Sequence, residues 1–152
     1  TTLDSTTSSV YIEDGVKVII SDTVGFIKDL PHQLVASFRA TLSVVREADL
    51  LIILTDLSDP DWDEKLESVR NVLQEISVDQ KPSIVVFNKI DRVFEPMEIE
   101  RAKRVDPDAL FISALKGEGI GDVKGMLKNH TMKGVKDEEK ERPQLSRSPL
   151  YR

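Results

Sequence analysis

Apolar residues along this chain fall into short uninterrupted runs and into longer stretches with helical spacing. Two runs, DLLIILTD at residues 49–56 and PSIVVFNKID at residues 82–91, are almost continuously apolar before they end in polar residues. Runs of this kind are typical of strands covered on both faces, as in a parallel sheet. A shorter run, ALFISAL at residues 109–115, has the same character. The pattern therefore predicts three buried strands in a parallel arrangement.

Helices are predicted between these runs, where apolar residues recur every three or four positions. The clearest apolar stripe consists of Trp62, Leu66, Val69, Leu73 and Ile76. Asp59 is suited to cap this helix and Pro60 to begin it. Similar spacing predicts helices near residues 34–45, 97–104 and 120–127. Strands that alternate with helices indicate an α/β domain.

The two ends of the chain differ from this alternating part. Two strand-like segments at residues 10–13 and 16–21 flank Asp-Gly, which is a strong hairpin signal. From about residue 130 the sequence is charged, contains prolines and lacks apolar clusters, so we expect a disordered tail over residues 130–152. The sequence therefore predicts one α/β domain over residues 1–129, followed by that tail.

Composition narrows the class of protein. The 152 residues include no cysteine, which excludes disulfides and thiolate metal sites. The net charge of −6 argues against broad, non-specific binding to nucleic-acid phosphates. The longest apolar run, at residues 50–54, is too short to span a bilayer, and no secretory leader is visible. We therefore expect a cytoplasmic protein without a membrane span.

Candidate chemistry is concentrated where the predicted strands end. In parallel α/β sheets, ligands bind beyond the carboxyl ends of the strands. Those ends carry Asp22, Asp56, Asn88 with Asp91, and Ser113. A ligand site is therefore expected where these residues meet.

The sequence NKID at residues 88–91 is the sharpest of these signals. The Asp91 carboxylate can accept hydrogen bonds from the ring N–H and the exocyclic amine of guanine, an edge that adenine lacks. The Lys89 stem can cover the base, and Asn88 can hold neighbouring loops. By itself, the motif is also compatible with a solvated turn that follows a strand.

Two further loops strengthen the nucleotide interpretation. DTVG at residues 22–25 follows an earlier strand, where Asp22 can hold a water on Mg²⁺ and the Gly25 N–H can meet a γ-phosphate. SAL at residues 113–115 follows a later strand, where the Ala114 N–H can bind the guanine carbonyl. Three such loops at the same ends of three strands are hard to explain as simple turns.

The order of these motifs resembles that of the translation-factor-related GTPases. TTLDSTT, DTVGFIKDLPHQLVASFRATL and READLLI are similar to the HflX family in particular, and the resemblance runs from Thr1 to about Leu127. It implies a P-loop-NTPase-type G domain, with a mostly parallel sheet and helices on both faces. It also implies that GTP and GDP are the ligands, that Mg²⁺ is the cofactor, and that GTP hydrolysis is the reaction.

Carried over position by position, the resemblance assigns the site. Thr2 becomes the switch I ligand of Mg²⁺ and the γ-phosphate, and Asp22 binds Mg²⁺ through a water. The implied nucleotide-binding residues are Asp22, Thr23, Val24, Gly25, Asn88, Lys89, Asp91, Ser113, Ala114 and Leu115.

Phe26 stands where many GTPases carry the glutamine that orients the attacking water. An apolar side chain cannot orient a water, so the catalytic residue stays unassigned. The resemblance therefore implies slow intrinsic hydrolysis that responds to a partner. The family implies that this partner is the large ribosomal subunit with its RNA, and that stalled or idle ribosomes are dissociated. We expect the protein itself to be a monomer.

No G-x-x-x-x-G-K-[ST] phosphate loop occurs in the 152 residues. In the HflX family, that loop follows a first strand which lies between the strand ending at Asp22 and the strand ending at Asp56. We therefore interpret the sequence as a piece of a longer protein that lacks the first strand, the loop and the first helix, and we expect it to be inactive alone. Two alternatives stay open, namely a non-catalytic interaction module and a phosphate-receiver domain with Asp56 as acceptor.

Overall fold

The computed structural model describes residues 6–12, 15–23 and 43–141, and the side chains among them up to residue 134. Its strands are β1 (Thr6–Tyr11), β2 (Lys17–Asp22), β3 (Leu51–Asp56), β4 (Ser83–Asn88) and β5 (Leu110–Phe111). Its helices are α1 (Trp62–Glu75), α2 (Pro96–Val105) and α3 (Ile120–Glu141), with a 3₁₀ turn at Ile90–Arg92. Residues 43–47 are also helical. Strands and helices thus alternate from β3 onward, as the hydrophobic pattern predicted.

A parallel sheet with the strand order β3-β4-β5 organises this alternation. The register places Asp56 beside Asn88, so β3 and β4 end at the same edge. The central strand β4 is covered on both faces, since Val85, Val86 and Phe87 are all buried. The predicted parallel arrangement is confirmed, although β5 is shorter than its apolar run suggested.

Aromatic side chains fasten α1 and α2 to this sheet. Trp62, the first residue of α1, is buried and meets Phe87 edge to face, with 5.1 Å between the ring centroids. Its indole N–H donates to Glu98 in α2 over 3.1 Å, and the Arg101 guanidinium lies 5.1 Å from its ring. Buried aromatic pairs stabilise a fold by more than their buried area alone. Trp62 therefore belongs to the core, as its place in the apolar stripe predicted.

The first two strands form a separate antiparallel pair. The register joins Thr6 to Asp22 at one end and Tyr11 to Lys17 at the other. The predicted hairpin is therefore confirmed, but its connection spans residues 12–16 and is longer than a two-residue turn. A hydrogen bond of 2.7 Å from the Ile12 N–H to the Val16 carbonyl begins this connection.

One edge of β3 carries no strand partner among the described residues, since β3 pairs with β4 alone. Leu54, in the middle of this strand, is 62% exposed. Ile19, in the strand β2, is 71% exposed. A groove of about 1860 Å³ lies between these two strands and is lined by residues of both.

The beginning of α1 differs from the prediction that Asp59 caps the helix and Pro60 begins it. The helix starts at Trp62, and the Asp59 carboxylate instead accepts the N–H of Asp61 over 2.9 Å. Before a helix begins, an aspartate carboxylate can accept a nearby backbone N–H, and this hydrogen bond closes a local turn. Pro60 lies in that turn.

The end of α3 also differs from the prediction. The helix continues to Glu141, past residue 130, where the sequence analysis placed the start of a disordered tail. Lysine and glutamate are strong helix formers, so the charged residues extend a helix that has already been nucleated by the preceding turns. None of the helices in the described ranges is both long and apolar enough to cross a bilayer.

Candidate functional site

The carboxyl ends of β4 and β5 bring two predicted loops together. The Ile112 N–H donates to the Phe87 carbonyl over 2.8 Å, and the Ile90 N–H donates to the Ile112 carbonyl over 3.2 Å. These bonds continue the ladder of the sheet beyond the strands themselves. As a result, the loop that begins at Asn88 lies beside the loop that begins at Ser113.

Asn88 joins the two loops through a single side-chain oxygen. Its Oδ1 accepts the N–H of Lys89 over 2.8 Å and the N–H of Ala114 over 3.0 Å. The predicted role of Asn88 as a brace between loops agrees with this geometry. The Ala114 N–H, predicted to bind the guanine carbonyl, donates to Asn88 in this structure. A base can receive this N–H through a shared, three-centre hydrogen bond or by taking the place of Asn88.

Asp91 is held by Ser113 across the two loops. The Ser113 hydroxyl, which is fully buried, donates to Asp91 Oδ1 over 2.6 Å. This bond lowers the pKa of Asp91 below its ordinary value of 3.8, and the opposing effect of desolvation is smaller. Asp91 is therefore ionised at neutral pH. An ionised carboxylate offers about four acceptor positions, so it can still receive two N–H groups of a base.

The loop after Ser113 folds back onto β5. The Ser113 N–H donates to the Glu118 carbonyl over 3.0 Å, and the Lys116 N–H donates to the Ser113 hydroxyl over 3.2 Å. Gly119 makes this fold possible, because it has φ of +72° and a Cβ there would lie 2.2 Å from the Phe111 carbonyl oxygen. The exposed Leu115 lies at the rim of the loop. The role of Gly119 was not predicted from the sequence, although a glycine soon after a strand-end loop is the signal that points to it.

Lys89 takes up an unusual backbone conformation at the same edge. It has φ of 65° and ψ of 34°, in the left-handed region that non-glycine residues rarely adopt. Its ammonium group pairs with the Asp56 carboxylate at 2.5 Å. The apolar pattern predicts Asp56 at a strand end but gives no sign of its contact with Lys89, which lies 33 residues further along the chain.

Only part of the predicted phosphate end lies within the described residues. Asp22 is the exposed last residue of β2, and both Asp22 and Thr23 line the groove that Asp56 also lines. Thr2, Val24, Gly25 and Phe26 were predicted to act here, but they lie outside the described residues. Among the residues that the structure does describe, no group of three or more acidic or histidine side chains forms a metal cluster.

Comparison with known proteins identifies the family. A family model described as "50S ribosome-binding GTPase" matches residues 1–89. The GTPase HflX of Magnetococcus marinus is 48% identical over 119 residues, and that of Escherichia coli K12 is 42% identical over 121 residues. The chain belongs to the HflX family of GTPases. Each of these HflX relatives matches 78% of this chain, and the matched part is 27% and 28% of their respective lengths, so the chain spans less than a third of the relatives.

Solved structures confirm the fold that the HflX resemblance implied. The crystal structure of the complex of SsGBP and GDP has a TM-score of 0.68 and 28% identity, and the match covers 83% of this chain and 42% of that chain. A variant of Era from Aquifex aeolicus, bound to GDP and AlF₄⁻, has a TM-score of 0.57 and 25% identity over 84% of this chain and 44% of that chain. The P-loop-NTPase-type α/β fold is thereby confirmed, and the receiver-domain alternative was wrong.

Proposed function

We propose that this chain supplies the guanine-recognising part of an HflX-type GTPase, which binds GTP with Mg²⁺ and hydrolyses it to GDP and phosphate. The observation that carries the proposal is the pairing of Asp91 with the buried Ser113 hydroxyl. This contact fixes an ionised carboxylate at the carboxyl end of a parallel sheet, where ligands of such folds bind. The match to GTPase relatives supports the same conclusion.

Selection of guanine follows from the chemistry of the base edge. Guanine presents a ring N–H and a 2-amino group side by side, and the Asp91 carboxylate accepts from both. Adenine presents no such pair of donors, so on binding it would displace water from the carboxylate without replacing the lost hydrogen bonds, which is costly. The stem of Lys89 provides an apolar cover for one face of the base. Ala114 and Leu115, in the adjacent loop, are proposed to complete the base site.

The phosphate end of the proposed site involves the switch residues. The Asp22 carboxylate is a hard oxygen donor at the exposed end of β2, which fits Mg²⁺ bound through a water, and Thr2 is the proposed second ligand. When bound, Mg²⁺ would neutralise negative charge on the transferred phosphoryl group. Thr23, Val24 and Gly25 are proposed to contact the γ-phosphate.

Association with the large ribosomal subunit is proposed on the family relationship. The matching family model is described as ribosome-binding, and its match includes the segment that carries Phe26. With an apolar residue in place of a water-orienting side chain, intrinsic hydrolysis is expected to be slow and to rise on the ribosome. The proposed cellular role is dissociation of stalled or idle ribosomes in the cytoplasm. Hydrolysis assays with and without purified large subunits test this step.

The direct test of guanine recognition uses the full-length protein. We expect tight binding of GTP and GDP and negligible binding of ATP. Asp91→Asn should weaken GDP binding about 10- to 100-fold, since it removes charge-assisted hydrogen bonds to the base. Calorimetric titration measures both effects. Equal affinity for GTP and ATP would refute the proposal, and an absence of any nucleotide binding would favour a non-catalytic interaction module instead.

A further inference from the structure

We infer that Asp56 is a positioning residue of the guanine site, which acts by fixing the side chain of Lys89. The inference rests on the proposed guanine-nucleotide function and adds a residue to it. The Asp56 carboxylate and the Lys89 ammonium group are 2.5 Å apart and come from the ends of two adjacent strands. Asp56 thus affects binding of the base by holding Lys89 in place, and it does not itself contact the nucleotide.

The carboxylate of Asp56 is itself held rigidly. Its Oδ1 accepts the N–H of Ser58 over 3.0 Å and the Ser58 hydroxyl over 2.6 Å. The backbone beyond β3 is also tied to β4, because the Leu57 N–H donates to the Asn88 carbonyl over 3.0 Å. The remaining oxygen, Oδ2, is the one that faces Lys89. Asp56 is therefore a preorganised acceptor rather than a mobile surface carboxylate.

Lys89 is constrained at both ends of its side chain. Its backbone lies in the left-handed region, and such outliers persist where the surrounding structure enforces them, most often at functional sites. Its ammonium group is held by Asp56. The four-carbon stem between these two fixed points has few conformations left to lose when a base packs against it. Preorganisation of this kind raises affinity by lowering the entropy cost of binding.

The prior ordering of its carboxylate separates this contact from an ordinary surface ion pair, although both side chains are partly exposed. Exposed pairs contribute little, because two mobile side chains must be ordered to form them. Here the carboxylate is already ordered by Ser58. The Asp56 pKa is raised by desolvation but lowered more by the hydrogen bonds from Lys89 and Ser58, and the net shift is downward. The Asp56 carboxylate is therefore ionised at neutral pH.

A double-mutant cycle in the full-length protein tests the inference, with the dissociation constant of GDP as the readout. Asp56→Asn should weaken GDP binding about 5- to 20-fold, as expected for residues that act as a coupled pair. In a Lys89→Met background, which keeps an apolar stem but removes the ammonium group, the same substitution should change affinity less than about 2-fold. Asp56→Glu should retain much of the affinity, because it keeps a carboxylate that can still reach the Lys89 ammonium group.

Asp106 provides a matched control on the other edge of the sheet. It accepts the N–H of Asp108 over 3.2 Å and pairs with Arg70 at 2.8 Å, so it shares with Asp56 a backbone N–H two residues on and a cationic partner. It lines a cavity together with Ser83, the first residue of β4. Asp106→Asn should leave GDP affinity within about 2-fold of the wild type.

The outcomes distinguish this inference from the proposed function. If Asp56→Asn has no effect, or has the same effect with and without Lys89→Met, the positioning role is refuted while guanine binding stands. If the wild type does not prefer GDP over ADP, the proposed function fails and the positioning role fails with it. Should Asp56→Asn not fold, Ser58→Ala takes its place in the same cycle, with an expected loss of about 2- to 4-fold that vanishes beside Lys89→Met.

Discussion

At the scale of single residues, the Ser113–Asp91 contact lowers the pKa of the carboxylate that is proposed to bind the base and fixes its orientation. Ser113→Ala should raise the pKa of Asp91 toward its ordinary value of 3.8. Because the folded pKa is depressed, the stability gained from this contact is complete above the ordinary pKa and is lost as the pH falls through the folded value. Urea midpoints of the wild type and Ser113→Ala should therefore differ most near neutral pH and approach each other below about pH 4.

A carboxyl NMR titration of Asp91 in the same two proteins provides the independent check. The wild type should titrate at the lower pH of the two. A gap between the urea midpoints that stays constant from neutral to acidic pH would contradict the charge-based account. In that case the Ser113 hydroxyl would act through its packing and its bond to Lys116 alone.

At the scale of elements, the turn between β5 and α3 depends on Gly119. Gly119→Ala should destabilise the protein by about 2 kcal/mol or more, because it adds both backbone strain and a clash with the Phe111 carbonyl. Gly117→Ala is the matched control, since Gly117 has a similar φ of +76° but open space around it. It should cost only about 1 kcal/mol from the left-handed conformation. Urea denaturation measures both values, and equal losses would show that the close approach to Phe111 is unimportant.

The elements that the sequence predicts best are those with an uninterrupted or periodic apolar pattern. β3, β4 and α1 fall within a few residues of their predicted positions, because each buries one continuous pattern against the others. The beginning of α1 and the end of α3 were placed wrongly. The periodic apolar pattern contains no information about either end. The beginning depends on the Asp59 carboxylate, which accepts a backbone N–H outside the helix. The end depends on charged residues that continue the helix.

Contacts between distant segments explain what was missed in the candidate site. NKID and SAL were found because each motif is contiguous, and the structure places them side by side. The pairing of Asp56 with Lys89 depends on the register of β3 against β4, which the composition of neither strand determines. The hydrogen bond from Ala114 to Asn88 likewise joins residues of two separate loops.

At the scale of the whole molecule, a groove lies between the unpaired edge of β3 and the strand β2. The resemblance to the HflX family implies that a further strand occupies this groove in the full-length protein. We expect the amides of β3 that do not pair with β4 to exchange rapidly in the 152-residue chain. In the full-length protein they should be protected. Hydrogen exchange followed by mass spectrometry compares the two, with the buried strand β4 as an internal reference. Equal exchange of these amides in both proteins would contradict the expected strand.

The position of Trp62 has a practical consequence for spectroscopy. It is the sole tryptophan of the 152 residues, and its ring contacts Phe87, the immediate neighbour of Asn88. Its fluorescence therefore reports from the interior close to the loop that is proposed to bind the base. Unfolding should shift the emission to longer wavelength as the indole meets water. A spectral change on addition of GDP would report a change in the surroundings of Trp62 without an attached dye.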